Sequence, residues 1–111
     1  MEHNPIVVLI TASGAQEARY IADELLAAHL AACVNILPEV SSHYWWQGKI
    51  ESAREALLMA KSRAELLDDI IKHVKKLHSY EVPEIIALQI AGGNTDYLNW
   101  IKNETKPQTR S

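Results

Sequence analysis

Glu51-Ser52-Ala53-Arg54-Glu55-Ala56-Leu57-Leu58-Met59-Ala60 is the stretch whose reading decides the fold. Its Ala, Leu, Met, Glu and Arg are good helix formers, and propensity alone makes it a helix. Its surroundings pull the other way. Ser62 and Glu65 have the spacing of a capping box, which would open a fresh helix immediately downstream. Gln47-Gly48 reads as a turn immediately upstream, so that Ile50 to Lys61 becomes the return strand of a hairpin. On the residues alone the two readings stand level.

Upstream, Cys33 to Gln47 is rich in Val, Ile, Tyr and Trp and reads as a strand interrupted by Pro38, which marks an edge position or a bulge. Ile6 to Thr11 is apolar and reads as a first strand buried on both faces. Ser13 and Gln16 form a capping-box pair before a helix whose core stripe is Ala18, Ile21, Ala22, Leu25, Ala28 and Ala32. Downstream, a helix from Arg63 to Leu77 has the stripe Leu66, Leu67, Ile70, Ile71, Val74 and Leu77. Val82 to Ile90 is the last strand, and Gly92-Gly93 ends it. Asn94 caps a short C-terminal helix bearing Tyr97, Leu98 and Ile101. Residues 105–111 read as a polar tail that frays.

With 111 residues, 48% apolar and 23% charged, residues 1–111 are expected to form a single domain with its own core. The formal net charge is −3 and no Lys/Arg block occurs, which argues against nucleic acid and anionic membranes as partners. Lys75-Lys76 falls late in a helix, where cations complement the dipole. Cys33 is the single cysteine, so no internal disulfide forms, and Ile6 to Ile10 is too short for a signal peptide or a membrane span. A reducing cytoplasmic location is the resulting expectation.

Two blocks concentrate chemistry. His78-Ser79-Tyr80-Glu81-Val82-Pro83-Glu84 crowds carboxylates, an imidazole and a phenol before a core strand, and Tyr44-Trp45-Trp46-Gln47-Gly48-Lys49-Ile50-Glu51 sets aromatics around a turn. Buried groups of these kinds require partners, which points to a site or an interface. Trp45 and Trp46 face opposite sides of a strand, so they cannot share one core layer. Of the five histidines (His3, His29, His43, His73 and His78), none has a recognised zinc spacing. Cys33 reads as a small buried hydrophobe or, alternatively, a metal ligand. Neither Ser13-Gly14-Ala15 nor Ser41-Ser42-His43 assembles a nucleophile, base and orienter, and no enzyme is expected.

Taken with Leu30-Ala31-Ala32-Cys33-Val34-Asn35-Ile36 and Asp96-Tyr97-Leu98-Asn99-Trp100-Ile101, these blocks give a chain that resembles the CutA family of divalent-cation tolerance proteins over nearly its whole length. The resemblance implies an α+β, ferredoxin-like βαββαβ fold with an antiparallel sheet, a long protruding hairpin and an extra C-terminal helix. It therefore makes residues 51–60 a strand. It also implies a PII-like homotrimer with Tyr44, Trp45, Trp46, Lys49 and Glu51 near the subunit interface, and a cleft between subunits lined by Lys61, Tyr80, Glu81 and Glu84. Lys61, Tyr80 and Glu84 could instead form a structural Lys–Glu pair with a Tyr hydrogen bond.

The family associates with metal-ion response, and its proposed copper ligands are a first-strand Cys and two consecutive His. This chain has Ile10 for the Cys, Leu77 before His78, and Ser79 for the usual Pro. His78 is the one ligand carried over, with Cys33 as a further candidate for copper or another divalent ion. No cofactor is required. The alternative function is a signalling module binding a small anionic metabolite in the inter-subunit cleft, which needs Lys61 and helix-start amides to face it. Independent of family, a strand from Cys33 to Gln47 reaches roughly 50 Å when extended. A domain of this size is about 35 Å across, so the hairpin should overhang its own body and offer edges to another chain.

Overall fold

In the computed structural model, which describes residues 4–105, Glu51–Ala60 is strand. The elements are β1 (Pro5–Ala12), α1 (Ala15–Ala27), β2 (Cys33–Trp46), β3 (Lys49–Arg63), a 3-10 turn (Ala64–Leu66), α2 (Leu67–Leu77), β4 (Ile85–Gln89) and α3 (Thr95–Glu104). One antiparallel sheet runs β2-β3-β1-β4. This is the ferredoxin-like α+β arrangement, with α3 added at the end.

Pairing on both edges decides the disputed stretch. β3 lies between β2 and β1, and its alternate residues Ala56, Leu58, Ala60 and Ser62 are buried while Leu57, Met59 and Lys61 are partly open. That is a period of two, and it overrides helix propensity. The capping-box reason for the strand fails, however. Ser62 is inside β3, and its hydroxyl donates to the Leu30 carbonyl at 2.6 Å. The 3-10 turn begins instead after the extended Arg63, without a side-chain cap.

The start of α1 also differs from the Ser13–Gln16 expectation. Gly14 is the N-cap residue, and Glu17 reaches back to accept the Ser13 N–H at 2.9 Å. α1 ends five residues before Ala32, which lies in the following loop with its N–H on the Lys61 carbonyl. β4 begins at Ile85 rather than Val82, because Pro83 has no N–H for a ladder and Val82 projects into solvent.

α1 and α2 cover one sheet face. Ile6, Val8, Ile10, Ala12, Ala56, Leu58 and Ala60 meet Ala18, Ile21, Leu25, Leu66, Ile70 and Val74 in one core. The opposite face carries Val7, Leu9, Leu57, Met59, Ile86 and Leu88, so β1 is fully buried on one side only. α3 closes one end of that second face, burying Leu98 and Ile101 while Tyr97 stays exposed, and Arg63 Nη2 donates to the Thr105 carbonyl at 2.6 Å. Thr105 is buried and bonded to Ile101, unlike a fraying residue, and the rest of the expected tail lies outside the described residues.

The hairpin is the feature that positions the site. Gln47 and Gly48 both have positive φ, 49° and 79°, giving the I′ turn that matches strand twist. β1 pairs with residues 56–63 of β3, so residues 49–55 pair with β2 alone and project past the body. A register shift between Leu37 and Val40 places a bulge at Pro38.

Candidate functional site: an acidic, aromatic cavity beneath the hairpin

The segment from His78 to Glu84 is pinned to the body by hydrogen bonds and turned toward the base of the hairpin. His78 is the extended residue that caps α2 at its C-terminal end, and it is nine-tenths buried. Nε2 donates to the Thr11 carbonyl at 2.6 Å, and Nδ1 accepts the Tyr80 N–H at 3.0 Å. The backbone partners thereby fix the Nε2–H tautomer. The Ser79 N–H donates to Glu17 Oε2 at 2.8 Å. Burial works against the Glu17 charge, but hydrogen bonds from Ser13 and Ser79 outweigh it and hold the carboxyl below its usual range.

Tyr80 packs against His78 with ring centroids 4.7 Å apart and donates its hydroxyl to Glu55 Oε2 at 2.8 Å. Burial, and then the hydrogen bond and charge of Glu55, push the phenol up to about 12. Glu55 is 9% exposed. In front of this pair opens a cavity of about 600 Å³ lined by Thr11, Ser42, His43, Tyr44, Trp46, Glu55, Tyr80, Glu81, Val82 and Glu84. Three carboxylates line it and no Lys or Arg does.

Tyr80, Glu81 and Glu84 are thus brought together, and Lys61 is not. It sits six positions along β3 from Glu55, about 20 Å away. Tyr44 and Trp46 line the cavity, while Trp45, on the other face, is 72% exposed. Lys49 and Glu51 are exposed on the hairpin beside them.

The copper candidates do not converge within a chain. Both His78 nitrogens are taken by backbone groups, Ile10 is buried in the core, and Cys33 pairs with Lys61 at the far end of β3. Cys33 is a partly buried free thiol, with Sγ 4.0 Å from Asn35 Oδ1. Among the described residues, no three His, Cys, Asp or Glu side chains gather where an ion could be held. His43 bonds Ser41 Oγ at 3.0 Å, and His29 Nδ1 contacts the Glu104 carbonyl at 3.1 Å.

Glu17 and Glu55 are the important residues that sequence reading passed over. Glu55 was hidden because the stretch around it looks helical. As a strand, it is a buried acid two residues before Leu57, on the same side as Leu57 and Met59, which is the signal that could have found it.

Fold and site together define a small ferredoxin-like α+β protein with a ligand-sized cavity under a projecting hairpin. A family model, the CutA1 divalent ion tolerance protein, matches residues 6–104. The chain belongs to that family. It is 48% identical to the chloroplastic CutA 1 protein of Oryza sativa over 91% of this chain and 57% of that one, so it spans little more than half of that relative. It is 46% identical to the divalent-cation tolerance protein CutA of Thermus thermophilus, covering 89% and 96% of the two chains. The crystal structure of CutA1 from Oryza sativa superposes with a TM-score of 0.91 at 46% identity, covering 94% and 95%.

Proposed function

We propose that this chain is a non-enzymatic, cytoplasmic, homotrimeric protein of the divalent-cation tolerance type, acting in the response to copper or a similar divalent ion. The observation that carries the reading, beside family membership, is the overhanging hairpin with Trp45, Trp46 and Ile50 in the open. An unpaired, aromatic-rich edge of this length is stabilised by another copy. The free Cys33 is consistent with a reducing compartment. The metal response is assigned to the assembly, since among the described residues of one chain no three His, Cys, Asp or Glu side chains gather to hold an ion.

Two measurements test this. Sedimentation of the untagged protein is expected to give three times the one-chain mass, and Trp46→Glu to lower it. A variant that remains trimeric would remove the hairpin from the interface. Calorimetric titration of the metal-free protein with Cu(II) and Zn(II) should show no tight site dependent on His78, because its ring is already bonded twice. Tight binding lost in His78→Ala would reverse that assignment. The alternative, an anionic metabolite in the cleft, draws no support from the cavity, whose charged lining residues are Glu55, Glu81 and Glu84.

A further inference from the structure

The segment that carries Tyr80 is held differently from the elements around it. Residues 79–84 lie between the end of α2 and the start of β4, outside any helix or strand, and Glu81, Val82 and Glu84 are exposed. Among the described residues, every hydrogen bond that holds this segment runs through a side chain. The Ser79 N–H donates to Glu17, the Tyr80 N–H to the His78 ring, and the Tyr80 hydroxyl to Glu55. A segment with few backbone bonds opens at lower cost than the sheet and helices beside it. All three contacts lie inside one chain, so assembly is not needed to make them.

Glu17 ties the segment to the helix layer. Its Oε1 accepts the Ser13 N–H at 2.9 Å and its Oε2 the Ser79 N–H at 2.8 Å, so one carboxylate spans the start of α1 and the start of the segment. An ionised carboxylate accepts on both oxygens, whereas a protonated one carries an O–H on one of them and accepts more weakly there. Tyr20 and Leu77 line a groove with Glu17, and the last-turn cations Lys75 and Lys76 of α2 come just before Leu77. On the other side stand His78 and Tyr80, with Glu55 behind Tyr80. Among the described residues, none of these groups forms an ion pair with Glu17. We propose that Glu17 is an acid-released latch. While ionised it clasps the segment bearing Tyr80 to the start of α1, and on taking a proton it frees Ser79 and lets residues 79–84 move independently of the core. Burial opposes the Glu17 charge, but the bonds from Ser13 and Ser79 outweigh it and hold the carboxyl below 4.5. The latch is therefore closed above that pH and opens as pH falls through the folded value. The device goes beyond the tolerance reading and requires no bound ion.

The test is amide hydrogen exchange on the full chain in its native assembly state, with rates corrected for the intrinsic pH dependence of exchange. The Ser79 N–H is expected to lose at least about tenfold in protection between about pH 6 and about pH 3.5, because a bond to a charged acceptor is given up. The Leu30 N–H, bonded to the Leu25 carbonyl in the core, should keep its protection over the same span. In Glu17→Gln the Ser79 N–H should exchange fast at about pH 6 already, with no further acid step. If Glu17→Gln does not fold, Ser79→Pro removes the donor instead. His78, at φ −80° and ψ 140°, already has the extended form that a residue before proline adopts. In Ser79→Pro the Glu17 carboxyl, followed by carbon NMR, should titrate closer to 4.5 than in wild type, since one of its two N–H partners is gone. Three results overturn the proposal. Loss of Ser79 protection near neutral pH would make another group the release. Equal loss at Ser79 and Leu30 would be global acid unfolding. Protection that survives the titration of Glu17 would mean that other contacts, a neighbouring copy's included, hold the segment.

Discussion

Glu17 and Tyr80 show how single side chains hold the cavity's floor. One Glu17 oxygen takes the Ser13 N–H and the other the Ser79 N–H, so this residue joins the start of α1 to the loop that carries His78 and Tyr80. Glu17→Gln replaces one acceptor by an amine facing an N–H, and is expected to destabilise the fold by about 1–2 kcal/mol. Because the folded carboxyl titrates below its ordinary 4.5, its contribution is present above that pH and fades as pH falls through the folded value. Urea midpoints of wild type and variant should therefore differ at neutral pH and draw together as the pH falls below 4.5. Tyr80 has the opposite sign. Its phenol is raised from 10 to about 12, so the stability it adds is intact below 10 and is lost as pH climbs toward about 12. Phenolate absorbance should show Tyr80 titrating late, together with Tyr97, whose phenol is also pushed up by burial and by Cys33, and Tyr80→Phe should remove its own late step while leaving that of Tyr97.

At the scale of elements, the end of α1 shows what sequence patterning conceals. The His29 N–H bonds the Leu26 carbonyl and the Leu30 N–H bonds the Leu25 carbonyl, the paired bonds of a Schellman ending, with Leu25 and Leu30 packed together in the core. The left-handed position, φ 57°, is held by His29 rather than glycine, and its ring reaches the end of α3. His29→Ala keeps the backbone strain and loses the bond, so a cost of about 1 kcal/mol is expected in thermal melts. His29→Asn should recover part of it, since Asn tolerates this conformation. Apolar periodicity made both covering helices legible, and Pro38, Gln47 and Gly48 marked the bulge and turn. β3 was not legible from composition, because its conformation is imposed by β2 and β1 pairing on either side, at large sequence separation. The resemblance carried that assignment, while Ser62, read as a cap, proved to be a core tether to Leu30. The site was legible in part for the same reason: the cluster around Tyr80 is local, whereas its partner Glu55 is 25 residues away.

On the whole molecule, the sheet is the source of asymmetry. One face is sealed by two helices, but the other presents Leu9, Leu57, Met59, Ile86 and Leu88, with Ile86 50% and Leu88 54% exposed. An antiparallel sheet that faces water normally alternates polar residues onto that side. Apolar residues running across β3, β1 and β4 make a patch of the kind that partners cover. The projecting hairpin adjoins this same face through Glu55, which lies on the Leu57 side of β3. Leu88→Glu separates the two explanations for such a face. In an isolated chain the substitution is at an exposed position and should change stability by less than about 0.5 kcal/mol. In an assembly that buries Leu88, it places an unpaired charge in an apolar contact, which costs several kcal/mol. The expected outcome is a folded protein by circular dichroism that sediments at the one-chain mass, with a melting temperature that has become independent of protein concentration. A Leu88→Glu protein that keeps the wild-type mass would show that the second face of the sheet stays in water, and would leave the hairpin alone to account for association.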